Sequence, residues 1–127
     1  MAEIAKLYKR AFIKVLGQEE DSIAIETEDI FMNIGLHKPL KLLQFVTFYN
    51  ANPSVSAEIK RAFVNEINAT KVLARFYYME DHDKIVADYS LPFEEGISEY
   101  QVIAATRLFS MIVPRAVKEH NRDGAVL

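Results

Sequence analysis

Asp81-His82-Asp83 brings metal-ligating side chains together in the sequence and could be read as a metal site. Two carboxylates and an imidazole are the donors of zinc and transition-metal sites. Adjacent residues in an extended turn point in different directions, and no second donor cluster accompanies them, so a solvated hairpin turn is the expectation. His37, His82 and His120 are the only histidines, and none stands in a nucleophile or metal motif. Ser22, Ser54, Ser56, Ser90, Ser98 and Ser110 all lack a GxSxG surrounding, so a Ser-His-Asp triad could assemble only in three dimensions. Glu94-Glu95 and Glu19-Glu20-Asp21 could serve as paired carboxylates in acid–base chemistry, but both fall in expected loops, where charge is usually solvated. Neither GxxxxGK[ST] nor GxGxxG occurs. No catalytic, cofactor-binding or metal-binding residue is therefore assigned.

Two charged groups and the aromatic residues suit binding better than reaction. Asp88 lies in the middle of an expected strand and faces Arg75 across a hairpin, which fits a cross-strand ion pair. Lys6, Lys9, Arg10 and Lys14 form a basic stripe that could meet phosphate or an acidic partner, although a solvated helix face is the commoner outcome. Eight Phe and six Tyr are present, many on strands, where most should pack in the core and a few could anchor a partner.

With 127 residues, half of them hydrophobic and 26 % charged, the chain suits one globular domain spanning 1–127. The absence of cysteine excludes disulfides, thiol chemistry and Cys-ligated zinc. A net charge of −3 gives no broad drive toward nucleic acid. The N-terminal apolar residues are interrupted by lysines and Arg10, and no run approaches a membrane span. A cytoplasmic protein binding neither membrane nor nucleic acid is expected.

These residues must be positioned by eight elements. Residues 2–16 carry Ile4, Leu7, Tyr8, Ala11, Phe12, Val15 and Leu16 at helical spacing, with Gly17 as a stop. Residues 22–37 switch to period two around a turn at Glu28-Asp29, and Gly35 there reads as a bulge or a close contact. A third strand covers 41–49, and Asn50-Ala51-Asn52-Pro53-Ser54 is a turn. A helix over 56–69 has Ser54 or Ser56 as its cap. Strands at 71–79 and 85–91 flank the polar turn 80–84.

The last helix runs from Ser98 to about His120. Ser98 and Gln101 have capping-box spacing, and Ile97 with Val102 has staple spacing. Pro114 should kink or end this helix early, and 121–124 should fray. The order α-β-β-β-α-β-β-α defines an α+β fold: a five-stranded, mostly antiparallel sheet with three helices.

The third and fourth strands are apolar on both faces, which a sheet with one solvated face would not require. Leu42, Val46 and Phe48 oppose Leu43, Phe45 and Tyr49; Val72, Ala74, Phe76 and Tyr78 oppose the other residues of their strand. Three helices should not cover both faces. The surface carrying Leu73, Arg75, Tyr77, Met79 and Asp88 is therefore the candidate protein interface.

This order resembles the YbjN family of small bacterial proteins, whose fold is similar to type III secretion chaperones. The resemblance is carried by residues 43–50, 63–68, Ala74-Arg75-Phe76-Tyr77-Tyr78, the acidic turn, Val86-Ala87-Asp88-Tyr89-Ser90-Leu91-Pro92, and the glycine followed by Ser98-Glu99. It implies a non-enzymatic, cytoplasmic, regulatory or chaperone-like role with a protein partner, without cofactors, and with dimers common in the related chaperones. It transfers no catalytic residue. Two other readings remain: a small-ligand protein or enzyme with an unrecognised pocket, and a structural subunit of a larger assembly. Converging ionisable groups in a closed pocket would favour the enzyme, and an exposed apolar sheet face would favour the binding module.

Overall fold

The computed structural model describes residues 1–27, 30–94 and 96–127; the expected turn at Glu28-Asp29 and the second member of the Glu94-Glu95 pair lie outside them. Helix α1 (Ala2–Arg10) leads into strands β1 (Lys14–Gln18), β2 (Ser22–Glu26), β3 (Phe31–His37) and β4 (Leu42–Asn50). Helix α2 (Ala57–Thr70), strands β5 (Arg75–Met79) and β6 (Lys84–Pro92) and helix α3 (Glu99–His120) follow. All neighbouring strands are antiparallel, in the order β1-β2-β3-β4-β6-β5. The α+β class and the three helices are as expected, and the sheet has six strands rather than five.

The sixth strand arises because α1 ends early. Phe12 adopts φ 61°, Phe12 N–H bonds to the Lys9 carbonyl and Ile13 N–H to the Tyr8 carbonyl. That is the hydrogen-bond pattern of a Schellman stop, in which glycine usually holds the left-handed position. Here phenylalanine holds it, so the sequence carries no warning. Val15 and Leu16, read above as helical, belong to β1, where the register shifts between Val15 and Gly17. That shift is the sheet's bulge. Gly35 instead sits in regular pairing between Ser22 and Gln44, with open space where a Cβ would stand. A left-handed non-glycine residue costs about 1–2 kcal/mol. Phe12→Gly should therefore stabilise the fold by about 1 kcal/mol in urea unfolding, the gain reduced by glycine's greater unfolded-state freedom. A destabilised variant would mean the side chain is needed at that turn.

The core lies between one sheet face and the helices. Ile23, Ile25, Met32, Ile34, Leu43, Phe45, Phe76, Ile85 and Ala87 alternate onto that face and form one cluster with residues from all three helices. Tyr8 joins α1 to α3. Its hydroxyl lies 2.8 Å from Thr106 Oγ1, which itself donates to the Val102 carbonyl at 2.7 Å, so Tyr8 is the donor of the first bond. Burial pushes the Tyr8 hydroxyl up to about 12, which keeps it protonated.

Helix α3 starts as its sequence predicts. Gly96, at φ 97°, turns the chain, and the Ser98–Gln101 capping box is formed in both directions. The helix continues through Pro114 to His120, contrary to expectation. The buried residues Val113, Ala116 and Val117 bracket the proline and secure the turn that lacks its N–H bond. The C-terminal residues do not fray either. Ala125 and Val126 are buried, Val126 bridges to Ala51, and the Asn121 side chain holds both backbone polar groups of Val126.

A polar knot ties α2 to the β5–β6 turn. Lys60 Nζ and Tyr78 Oη both lie 2.6 Å from Asp83 Oδ1, and the Lys60 side chain is 4 % exposed. The hydrogen bond from Lys60, followed by that from Tyr78, holds the Asp83 carboxyl below its ordinary range. A depressed carboxylate stabilises the fold above its unfolded pKa and loses that contribution as pH falls through its folded value. Stability should therefore decline below about pH 4, and Asp83→Asn should flatten that part of the profile. Urea midpoints between about pH 7 and about pH 3 test this; an unchanged acid limb in the variant would remove Asp83 from the account.

Candidate functional site

The other face of the sheet is the candidate site. Because side chains alternate along a strand, each inward residue leaves its neighbours pointing outward. Several outward rows follow from the register. Ala24, Asn33, Val46, Asp88 and Arg75 form one, Phe48, Val86 and Tyr77 a second, and Glu26 with Phe31 a third. Phe31 and Phe48 are 63 % and 61 % exposed, whereas Val86 between Phe48 and Tyr77 is only 4 % exposed and lies outside the main core cluster. Val86 is thus buried on the open side, between Phe48 and Tyr77 in the register. A shallow depression of about 640 Å³ is lined on this face by Leu16, Ala24, Phe31, Asn33, Val46 and Phe48.

Charged groups frame the apolar centre. Arg75 grips Asp88 with two bonds, Nε to Oδ1 at 3.1 Å and Nη2 to Oδ2 at 2.7 Å, and its guanidinium stands 5.1 Å from the Tyr77 ring centroid. The Asp88 hydrogen bond raises the Arg75 pKa further, so the guanidinium stays charged. Lys84 Nζ lies 5.2 Å from the Phe48 ring and bonds to Asn50. An apolar centre with a polar rim is the anatomy of a protein contact surface.

Of the interface residues read from sequence, Arg75, Tyr77, Met79 and Asp88 share this face. Leu73 does not join them. It precedes β5 at φ 79° and packs against the core, because the backbone reverses before the strand begins. Leu16 and Phe31 extend the surface beyond the sequence reading. Phe31 was legible from the alternation of β3, where Met32 and Ile34 go inward; Leu16 was hidden by the helical reading of β1.

The other candidates are dispersed. Asp83 turns to Lys60 and Tyr78, while Asp81 and His82 are exposed in a short 3₁₀ turn. Among the described residues no group of three or more His, Asp or Glu is placed to hold a metal ion. His120 Nδ1 lies 3.2 Å from Glu66, and the His37 ring accepts the Leu40 N–H. Ser56 and Ser98 cap helices, and the Ser110 hydroxyl bonds to Thr27. The basic stripe is broken up, since Arg10 pairs with Glu99 and Lys14 lies in β1 facing Glu26. No described helix is long and apolar enough to cross a membrane.

The fold, a six-stranded antiparallel sheet with three helices, resembles that of a type III secretion chaperone. The chain belongs to the YbjN family, described as "putative bacterial sensory transduction regulator", whose profile matches residues 2–119. The fold is similar to the crystal structure of YbjN, "a putative transcription regulator from E. coli". The TM-score is 0.81 at 16 % identity, covering 99 % of this chain and 94 % of that one. It is also similar to SchA in the HopA1–SchA chaperone–effector complex, with TM-score 0.59 at 8 % identity over 87 % and 84 % of the two chains. No curated protein matches the sequence.

Proposed function

We propose that this protein is a non-enzymatic protein-binding module, chaperone-like or regulatory in role, that works as a homodimer through the open sheet face. The observation that carries this reading is the placement of core-forming residues from all three helices on one side of the sheet, which leaves Phe31 and Phe48 exposed and Val46 and Tyr77 half-buried on the other. Association would remove that apolar area from water, at about 25 cal/mol per Å². The Arg75–Asp88 pair and Met79 would form one margin of the contact. A fold shared with a chaperone that binds an effector protein supports a protein partner rather than a substrate. The family description as a regulator fits the same reading.

Light scattering at micromolar concentration tests it. The wild type should show the mass of a dimer. Tyr77→Glu and Phe48→Glu should each give a folded monomer, because association would bury an unpaired carboxylate. A monomeric wild type, or variants that remain dimeric, would remove this face from the interface.

A further inference from the structure

The outer ridge of α3 is a second exposed surface, different in character from the sheet face. Arg107, Leu108, Met111, Arg115 and Lys118 are all exposed and recur at spacings of three and four, so they share one side of the helix. Leu108 is 44 % and Met111 39 % exposed. On the opposite side Phe109, Val113, Ala116 and Val117 are buried in the core, so the ridge is held on a fixed support. A shallow cleft of about 300 Å³ lies among Met111, Pro114, Arg115 and Lys118.

The charges on this ridge are unbalanced. Among the described residues, Arg107, Arg115 and Lys118 form no ion pair. The nearby carboxylates are committed elsewhere: Glu119 bonds Lys71 at 2.5 Å, and Glu66 bonds Arg122 at 2.7 Å and lies 3.2 Å from His120. Arg115 contributes to the depressed Glu119 pKa, but less than Lys71 does. Three unpaired cations beside two exposed apolar side chains, in a chain whose net charge is −3, form a local patch of reversed sign.

We infer that this ridge docks an acidic amphipathic α-helix supplied by another protein. Residues 107–118 span about three turns of helix, roughly 18 Å at 1.5 Å per residue, which matches a helix laid along α3. Leu108 and Met111 would receive the apolar stripe of the incoming helix, while its Asp and Glu residues would reach Arg107, Arg115 and Lys118. Nucleic acid fits less well, because three cations offer few phosphate contacts. A lipid surface fits less well too, because three basic residues supply little attraction and two apolar side chains give little insertion. The inference does not depend on the sheet-face reading, since the two surfaces share no residue.

The test uses a fluorescein-labelled peptide of about 18 residues, long enough to populate a helix, with Leu at helical spacing and Glu elsewhere. A matched peptide carrying Lys in place of Glu is the control. Anisotropy should show saturable binding of the acidic peptide at micromolar wild-type protein, weakening as salt rises, and no binding of the basic peptide. Arg115→Glu with Lys118→Glu, and separately Leu108→Ser with Met111→Ser, should each weaken binding by about tenfold or more. All of these positions are exposed, so circular dichroism melts should match the wild type. Tyr77→Glu should bind the peptide normally, which separates this result from any failure at the sheet face. Absence of saturable binding, equal binding of both peptides, or unchanged affinity in the double variants would overturn the inference. So would capture by phosphatidylglycerol vesicles without peptide binding, which would assign the ridge to lipid.

Discussion

Phe45→Ala should lower the stability of this protein by about 3–5 kcal/mol, while Phe48→Ala, three residues along the same strand, should change it by only about 0.5 kcal/mol. Both are phenylalanines on β4 and a propensity scale treats them alike. Phe45 is fully buried, with its ring 5.9 Å from that of Tyr89 and 6.2 Å from that of Phe109, so truncation leaves a cavity where strands meet α3. Phe48 is 61 % exposed on the open face. Urea unfolding below the concentration of any self-association would separate them. Equal losses would mean that the open face is as tightly packed as the core, and the interface reading would fall with it.

Asn68→Ala should cost about 1–3 kcal/mol, a large effect for a polar residue near the surface. β5 is an edge strand, and the outward backbone groups of an edge normally face water or a foreign strand. Here Asn68 Nδ2 donates to the Phe76 carbonyl at 2.8 Å, and Phe76 N–H donates to Asn68 Oδ1 at 2.9 Å. One amide side chain thus supplies both halves of a strand's pairing and closes the edge at that point. Asn68→Asp should be intermediate at neutral pH, because a carboxylate still accepts from Phe76 N–H but repels its carbonyl. Amide exchange of Phe76 would report the loss locally. Unaltered protection of that amide in Asn68→Ala would show that the side chain is not what closes the edge.

The end of the first helix shows why some elements could not be read locally. Residues 12–16 satisfy two periods at once: Phe12, Val15 and Leu16 continue the helical stripe, while alternation through Val15 also suits a strand. The choice is made at Phe12, whose left-handed backbone gives no compositional signal, and by β2, which offers β1 a partner. Pro114 and the C-terminal residues differ from expectation for a related reason. Rules for helix breaking and terminal fraying describe an unsupported chain, whereas these segments are anchored by burial and by Asn121 and Ala51. Where a signal consists of neighbours in sequence, it was legible. The Ser98–Gln101 box, the β5–β6 hairpin and the Arg75–Asp88 pair all formed as their spacing indicates.

The candidate site divides along the same line. Period-two alternation is a local steric property of extended backbone, so the sequence by itself determined that β4 and β5 have two apolar faces. It also placed Val46 with Phe48 and Arg75 with Tyr77 on shared sides. Which face would be buried was decided only in the tertiary structure, because coverage depends on helices tens of residues away docking together. Tyr8 reaches Thr106, and Lys60 reaches Asp83, across such distances in sequence. The pairing of β4 with β6, which sets Phe48 beside Val86, is likewise a product of long-range contact that no local pattern encodes.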